Sequence, residues 1–239
     1  MTESASLRAH AAVPFMNPLG EAVIAEAIAA LELAPGARVV ETGCGAGAVL
    51  LGILEAHADA TGVGVDPDGL ALGRARRRAG GRAVQWIEAT AQDAGLEPGS
   101  FDLVVNVASS HAHGGFPDAL PALAALARPG GGLVLLGEGF WTRPPSPAFL
   151  DALGGATADE LPLGLPALLD VARAAGLEPI DVREAGVEDM TAYEEALAAE
   201  AERYDDAEAV AYARRIRARR ALPDGATTMG FALLTLRRA

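Results

Sequence analysis

The chain has 239 residues, of which 51% are hydrophobic, and it carries a formal net charge of −13 at pH 7. The apolar content excludes disorder over most of the length, and the acidic balance argues against a nucleic-acid partner, because phosphates require a basic surface. No apolar stretch reaches the roughly 18 residues that a membrane-spanning helix needs, so no membrane partner is expected.

Helical and strand patterns alternate along the first part of the chain. The predicted strands are rich in β-branched residues or leucine and mostly lack alternation, as is typical of buried parallel strands. The strands cover 38–42, 61–65, 83–88, 101–107 and 133–136, and the helices cover 19–32, 48–57, 67–79 and 117–126. The N-terminal arm and the first helix together occupy 1–32. This order predicts an α/β fold with a doubly wound, mostly parallel sheet.

The pattern changes after residue 138. Segment 139–164 is rich in proline and glycine and is predicted to be a loop, and a helix over 165–175 and a strand over 179–184 follow it. Residues 188–222 are predicted to form a helical cap, inserted before a last strand over 229–236. Because no crossover helix precedes that strand, we expect it to run antiparallel to 179–184. We expect one domain over 1–239.

The first predicted strand ends in Glu41-Thr42-Gly43-Cys44-Gly45-Ala46-Gly47, and a helix follows. Glycine lets the backbone lie directly against a ligand, and the free N–H groups of a helix start point at whatever occupies such a turn. The spacing of Gly43, Gly45 and Ala48 allows a dinucleotide site, whereas a phosphate loop requires a lysine that the chain lacks. The third candidate ligand of the turn is S-adenosylmethionine, and the acidic side chain of Glu41 favours this candidate. Its carboxylate would meet an ammonium group but would repel a pyrophosphate.

This segment resembles the glycine motif of class I S-adenosylmethionine-dependent methyltransferases, and segments 64–66, 89–93, 101–105 and 128–133 match that family in the same order. The resemblance implies a seven-stranded sheet with a reversed last strand and S-adenosyl-L-methionine as the cofactor. It also places Asp66 at the ribose hydroxyls and Asp93 at the adenine amino group. Asp66 stands about 20 residues after the glycines, where an acid binds vicinal hydroxyls. The predicted cofactor-binding residues are Glu41, Gly43, Cys44, Gly45, Gly47, Asp66, Pro67, Gln92, Asp93 and Asn106.

The predicted reaction site follows the fourth strand, because ligands of parallel α/β sheets bind beyond the carboxyl ends of the strands. His111 and His113 lie there, and we expect one of them to be catalytic by accepting a proton from the attacking nucleophile. Ser110, Glu138 and Trp141 are predicted to line the substrate pocket. Two histidines are too few ligands for a metal ion, so no metal site is predicted.

The overall layout is similar to a group of bacterial small-molecule methyltransferases. This implies methyl transfer to an O, N, S or C nucleophile of a small-molecule substrate by in-line displacement. Two alternatives stay open: an NAD-dependent oxidoreductase, and a protein that binds S-adenosylmethionine without methylating. The single cysteine favours a reducing cytoplasm, and the sequence leaves a homodimer open.

Overall fold

The protein is described by a computed structural model over residues 4–239, so the first three residues of the predicted N-terminal arm lie outside the described residues. The strands are β1 Arg38–Thr42, β2 Thr61–Asp66, β3 Val84–Glu88, β4 Leu103–Val107, β5 Leu133–Trp141, β6 Leu177–Glu184 and β7 Met229–Arg238. The helices are α1 Ala5–Ala9, α2 Glu21–Ala29, α3 Ala48–Ala56, α4 Gly69–Ala79, α5 Phe116–Leu126, α6 Pro147–Ala152, α7 Leu165–Ala174, α8 Val187–Ala201 and α9 Ala207–Arg220.

The seven strands form one sheet in the order β3-β2-β1-β4-β5-β7-β6. Strands β1 to β5 pair in parallel, with Glu41 level with Gly64 and Val107 level with Gly137. Strand β7 is reversed: its end bonds to the start of β5, where the Arg238 N–H donates to Gly132 O at 2.8 Å. The α/β fold with a mostly parallel sheet and an antiparallel last strand is therefore confirmed.

The chain divides into two compact units. The sheet unit comprises Ala22–Glu138, Leu169–Arg183 and Leu233–Ala239, and it holds β1 to β4 with the helices between them. The helical unit comprises the residues up to Glu21, Gly139–Leu168 and Glu184–Ala232. The expectation of a single domain over 1–239, with a cap at 188–222, stays a prediction.

Strand β4 lies in the core of the sheet unit. Every residue of β4 is buried, as the absence of alternation in its sequence predicts for a strand covered on both faces. The helical unit has its own apolar core, formed where α8 and α9 pack on α1. Its buried members are Ala9, Leu197, Ala198, Ala201, Ala213 and Ile216.

Two sequence-based predictions on either side of residue 138 were wrong. Strand β5 continues to Trp141 instead of ending at Leu136, and segment 139–164 contains helix α6 besides loop. Gly139 lies within this strand, and a Cβ atom there would stand 2.8 Å from the Met229 side chain. The glycine therefore provides room for tight packing inside a strand, although glycine in a sequence usually indicates a turn.

Candidate active site

The glycine turn after β1 has the backbone that its sequence predicts. Gly43, Gly45 and Gly47 have φ angles of 69°, 50° and 72°, in the left-handed region that favours glycine. The turn is fixed to β2, because the N–H groups of Gly43 and Cys44 both donate to Val65 O, at 2.8 and 3.0 Å. Gly47 is the N-cap of α3, so the helix begins directly after the turn.

Two side chains that the sequence analysis missed pack against this turn. A Cβ atom on Gly43 would lie 2.5 Å from Ser109 Cβ, and one on Gly47 would lie 2.6 Å from the Trp86 ring. The Trp86 ring also occupies the space that a side chain at Gly64 would need. Three glycines are therefore required by the packing of two side chains, independently of any ligand.

Glu41 is buried at the end of β1, with 3% of its surface exposed. Its Oε2 accepts a hydrogen bond from the Leu50 N–H in the first turn of α3, at 3.1 Å. Burial raises the pKa of Glu41 to about 8; the bond from Leu50 opposes this rise, and the nearby charge of Asp66 adds to it. A buried carboxyl group without a cation favours its neutral form, and a cationic ligand would reverse that preference.

Asp66, at the end of β2, closes the glycine turn from the other side. Its Oδ2 accepts from the Gly45 N–H at 2.7 Å, and its Oδ1 accepts from the Asp68 N–H at 2.8 Å. Each carboxylate oxygen keeps a further lone pair for a ligand. The side chain that caps α4 is Asp68, so the helix begins at Gly69 and Pro67 precedes it. The prediction that this helix begins at residue 67 was wrong by two residues.

Gln92 and Asp93 lie in an exposed turn after β3. The Thr90 hydroxyl donates to Asp93 Oδ2 at 2.7 Å, and the Asp93 N–H donates back to Thr90 Oγ1 at 3.2 Å. This reciprocal pair holds the Asp93 carboxylate in place on the loop. The role of Asp93 in adenine binding stays a prediction.

Asn106 connects β4 to the glycine turn from a fully buried position. Its Nδ2 lies 3.1 Å from Thr42 O and 3.2 Å from Ser109 O, and these two carbonyl oxygens can only accept hydrogen bonds. The amide is therefore oriented with its NH₂ group toward them. Its Oδ1 is buried and accepts no hydrogen bond within residues 4–239. A buried acceptor in this position lacks only a donor, which a ligand can supply.

The two predicted catalytic histidines have different surroundings. His113 Nε2 lies 3.0 Å from the Thr42 hydroxyl, and burial lowers the pKa of His113. Thr42 is fully buried, and its Oγ1 also accepts a hydrogen bond from Asn106 Nδ2 at 3.1 Å. A hydroxyl group can both donate and accept, so this bond holds the His113 ring against the end of β1 in either neutral tautomer. The His111 side chain is exposed.

The remaining predicted site residues are distributed over both units. Cys44 is buried in the glycine turn, where burial raises the pKa of its thiol, so it behaves as an apolar filler. Ser110 is partly exposed beside His111, and Glu138 is buried in β5. Trp141 belongs to the helical unit and is 2% exposed, with its Nε1–H donating to Ala158 O at 2.8 Å. Trp141 is therefore a buried residue of the helical unit, and its role as a wall of the substrate pocket stays a prediction.

Within the described chain, no group of three histidine, cysteine or acidic residues is placed to hold a metal ion. None of the helices in residues 4–239 combines the length and apolarity that crossing a bilayer requires.

The sequence of the chain is similar to that of known methyltransferases over more than single motifs. Residues 39–131 match a family described as a methyltransferase domain. The chain is 28% identical over 183 residues to the uncharacterized protein YjhP of Escherichia coli, a match that covers 75% of this chain and 73% of that one. It is also 34% identical over 96 residues to a fatty-acid O-methyltransferase of Mycolicibacterium smegmatis. That match covers 40% of this chain and about a third, 35%, of the enzyme.

Two solved structures are similar over almost the whole chain. The crystal structure of Escherichia coli YjhP has a TM-score of 0.79 at 25% identity, covering 98% of this chain and 99% of that one. A methyltransferase from Thiobacillus denitrificans, crystallised with S-adenosyl-L-homocysteine, has a TM-score of 0.78 at 26% identity, covering 97% and 96%. Residues 39–131 therefore carry a methyltransferase domain, and the sheet order, the glycine turn and these solved structures support a class I S-adenosylmethionine-dependent methyltransferase.

The residues of the sheet unit fit S-adenosylmethionine, the cosubstrate of this class. Two acceptors stand where β1 and β4 end: the Glu41 carboxyl group and the unsatisfied Asn106 Oδ1. Both suit an ammonium group, which is cationic and donates hydrogen bonds. A pyrophosphate has neither property, so a dinucleotide fits this end of the site poorly.

Proposed function

We propose that the protein transfers a methyl group from S-adenosylmethionine to a nucleophilic atom of a small molecule, in a single in-line displacement. The positively charged sulfur of the cosubstrate supplies an activated methyl group. Catalysis therefore rests mainly on orienting the acceptor and excluding water. The fit of two buried acceptors, Glu41 and Asn106, to an ammonium group is the observation that carries this proposal.

Each cofactor-binding residue has a role that its environment supports. Glu41 and Asn106 hold the ammonium group, and the backbone of Gly43 to Gly47 lies along the amino-acid portion. Asp66 binds the ribose hydroxyls through the lone pairs that its two backbone bonds leave. Asp93 accepts from the adenine amino group.

The two histidines take separate roles in this proposal. His111 is exposed on the loop after β4, so its imidazole is open to an acceptor and serves as the general base. His113 is bonded to Thr42 and acts on the cofactor site by holding that loop against the end of β1. His113→Ala should therefore raise the Kd for S-adenosylmethionine several-fold, whereas His111→Ala should leave it unchanged. An equal effect of both substitutions would contradict this division.

Calorimetric titration of the full chain with S-adenosylmethionine, and in parallel with NADH, tests the proposal. We expect S-adenosylmethionine to bind, and Glu41→Gln should weaken that binding by about tenfold because it removes one charge of a buried pair. The matched control is Glu32→Gln, an exposed glutamate after α2. Stabilisation by NADH alone would indicate an oxidoreductase. Binding without S-adenosylhomocysteine formation, across a panel of alcohols, amines, thiols and enols, would indicate a non-methylating protein.

The proposal also includes the cellular compartment and the oligomeric state of the protein. A single buried cysteine supports a protein of the reducing cytoplasm. Sedimentation of the purified chain, with and without cosubstrate, tests whether it forms a homodimer.

A further inference from the structure

A cavity of about 510 Å³ lies within the helical unit, and none of its lining residues is assigned to the cofactor. Three chain segments form it: the end of β5, the junction of β6 with α8, and the start of β7. Its volume falls in the range of roughly 300–1,000 Å³ that is typical of small-molecule sites.

The floor of this cavity is apolar and firmly packed. Phe140 is 4% exposed and Met190 is 9% exposed. The Phe140 ring lies so close to Gly230 that a Cβ atom on this glycine would stand 2.5 Å from the ring. Met229 is held in the same way against Gly139. The floor therefore offers a packed aromatic ring and adaptable thioether side chains to an apolar group.

Two side chains of opposite charge line the cavity above this floor. Arg143, after β5, and Glu184, at the end of β6, are both exposed. Neither side chain forms a hydrogen bond or an ion pair with any residue in the described part of the chain. Their charged atoms are therefore more than 4 Å apart, and each stays available to a ligand.

Neighbouring polar groups are already engaged. The Thr142 hydroxyl donates to Thr227 O, and the Gly186 N–H donates to Asp189 Oδ2 at 3.0 Å. The cavity thus presents one free cation, one free anion and an apolar floor among its described residues. A guanidinium group binds a carboxylate through paired N–H groups, and a carboxylate binds an ammonium group. Arg143 and Glu184 together therefore fit a ligand that carries both a carboxylate and an ammonium group.

We propose that this cavity binds a small zwitterion with an apolar side chain, the chemistry of an aromatic or long aliphatic α-amino acid. The ligand's carboxylate pairs with Arg143 and its ammonium group pairs with Glu184. Its side chain lies on Phe140, Met190 and Met229. The site does not depend on methyl transfer, so it is tested without S-adenosylmethionine, and the two proposals can fail separately.

Methyl NMR of the full chain labelled with [¹³C-methyl]methionine locates the ligand. L-phenylalanine should shift the signals of Met190 and Met229, whereas Met16, a partly exposed methionine of the same unit, is the internal control. If L-phenylalanine up to about 10 mM shifts neither cavity methionine, the Kd lies well above the millimolar range and the proposal is overturned. Equal shifts at all three methionines overturn it as well.

Titration with single-charge analogues separates the two contacts. Because each charge adds one ion pair, L-phenylalanine should bind about three- to tenfold more tightly than either 3-phenylpropionate or 2-phenylethylamine. Arg143→Gln should weaken the binding of L-phenylalanine and 3-phenylpropionate but not that of 2-phenylethylamine. Glu184→Gln should weaken the binding of L-phenylalanine and 2-phenylethylamine but not that of 3-phenylpropionate. The matched controls are Arg237→Gln and Glu188→Gln, exposed residues that do not line the cavity. Equal affinity for all three probes, or equal sensitivity to all four substitutions, overturns the assignment.

Discussion

Replacement of Glu41 by glutamine should stabilise the protein while it weakens the binding of cosubstrate. Glu41 is 3% exposed, and burial raises its pKa to about 8 from an ordinary value of 4.5. Between these two values the folded protein keeps a proton that the unfolded chain has released. For such an acid, the free energy of unfolding falls as the pH rises through this window.

The size of the effect follows from the separation of the two pKa values. The free energy of unfolding falls by about 1.4 kcal/mol for each pH unit in this window. At pH 7 the wild type is therefore less stable by about 3 kcal/mol than at low pH, as far as Glu41 is concerned. Glutamine has the shape of the protonated glutamate, and its carbonyl oxygen can still accept from the Leu50 N–H. The Glu41→Gln protein should therefore escape this loss.

Urea unfolding at pH 5, 6, 7 and 8 without cosubstrate provides the measurement. The difference in unfolding free energy between Glu41→Gln and the wild type should grow by about 1.4 kcal/mol per pH unit up to pH 7 and then level off near pH 8. Glu32→Gln, at an exposed position, should give a curve parallel to the wild type. If Glu41→Gln is also parallel to the wild type, the Glu41 carboxyl group is ionised in the free protein and the reasoning is wrong.

Three further predictions concern the cofactor site and the packing of the helical unit. If an ammonium group ionises Glu41, binding of S-adenosylmethionine at pH 7 should release about 0.9 proton, seen as a buffer-dependent calorimetric enthalpy. Gly43→Ala should lower the unfolding free energy by about 1–3 kcal/mol, because the left-handed φ and the Ser109 side chain both oppose a Cβ atom; Ser109→Gly should restore part of this in a thermal melt. Glu194→Gln should lower the unfolding free energy in urea by about 1–3 kcal/mol, because it removes the negative charge that faces the nearly buried Arg219 guanidinium and leaves a neutral acceptor 3.1 Å from Arg219 Nε; an unchanged midpoint would contradict this.

The glycine turn could be predicted from its sequence because its determinants are local. The apolar strand, the acid at its end and three alternating glycines stand next to one another in the chain. The partners of these glycines could not be predicted in this way. Ser109 bonds to Gly43 across 66 residues of sequence, and Trp86 is brought to Gly47 only by the pairing of β3 with β2. Such contacts depend on the register of the sheet, which one sequence does not specify.

The same limit explains the errors around β5. Glycines at 137 and 139 indicate a turn when only local preferences are considered. In the folded chain, Met229 of the reversed strand β7 occupies the space beside Gly139, so a larger residue there would have to displace the Met229 methyl group. Packing against the distant strand β7 therefore decides the conformation at Gly139. Strand β5 continues through a segment whose own preference for strand is weak.

The two histidines after β4 look equivalent in the sequence, but a short helical turn places their side chains in different surroundings. Ser110–His113 is a 3₁₀ turn, in which consecutive residues are rotated by about 120°, so His111 and His113 point in different directions. His113 is directed to the buried Thr42 hydroxyl, and this bond engages its Nε2 atom. The exposed His111 is therefore the general base in the proposed reaction, and the bond between His113 and Thr42 would hold the loop that carries it in position.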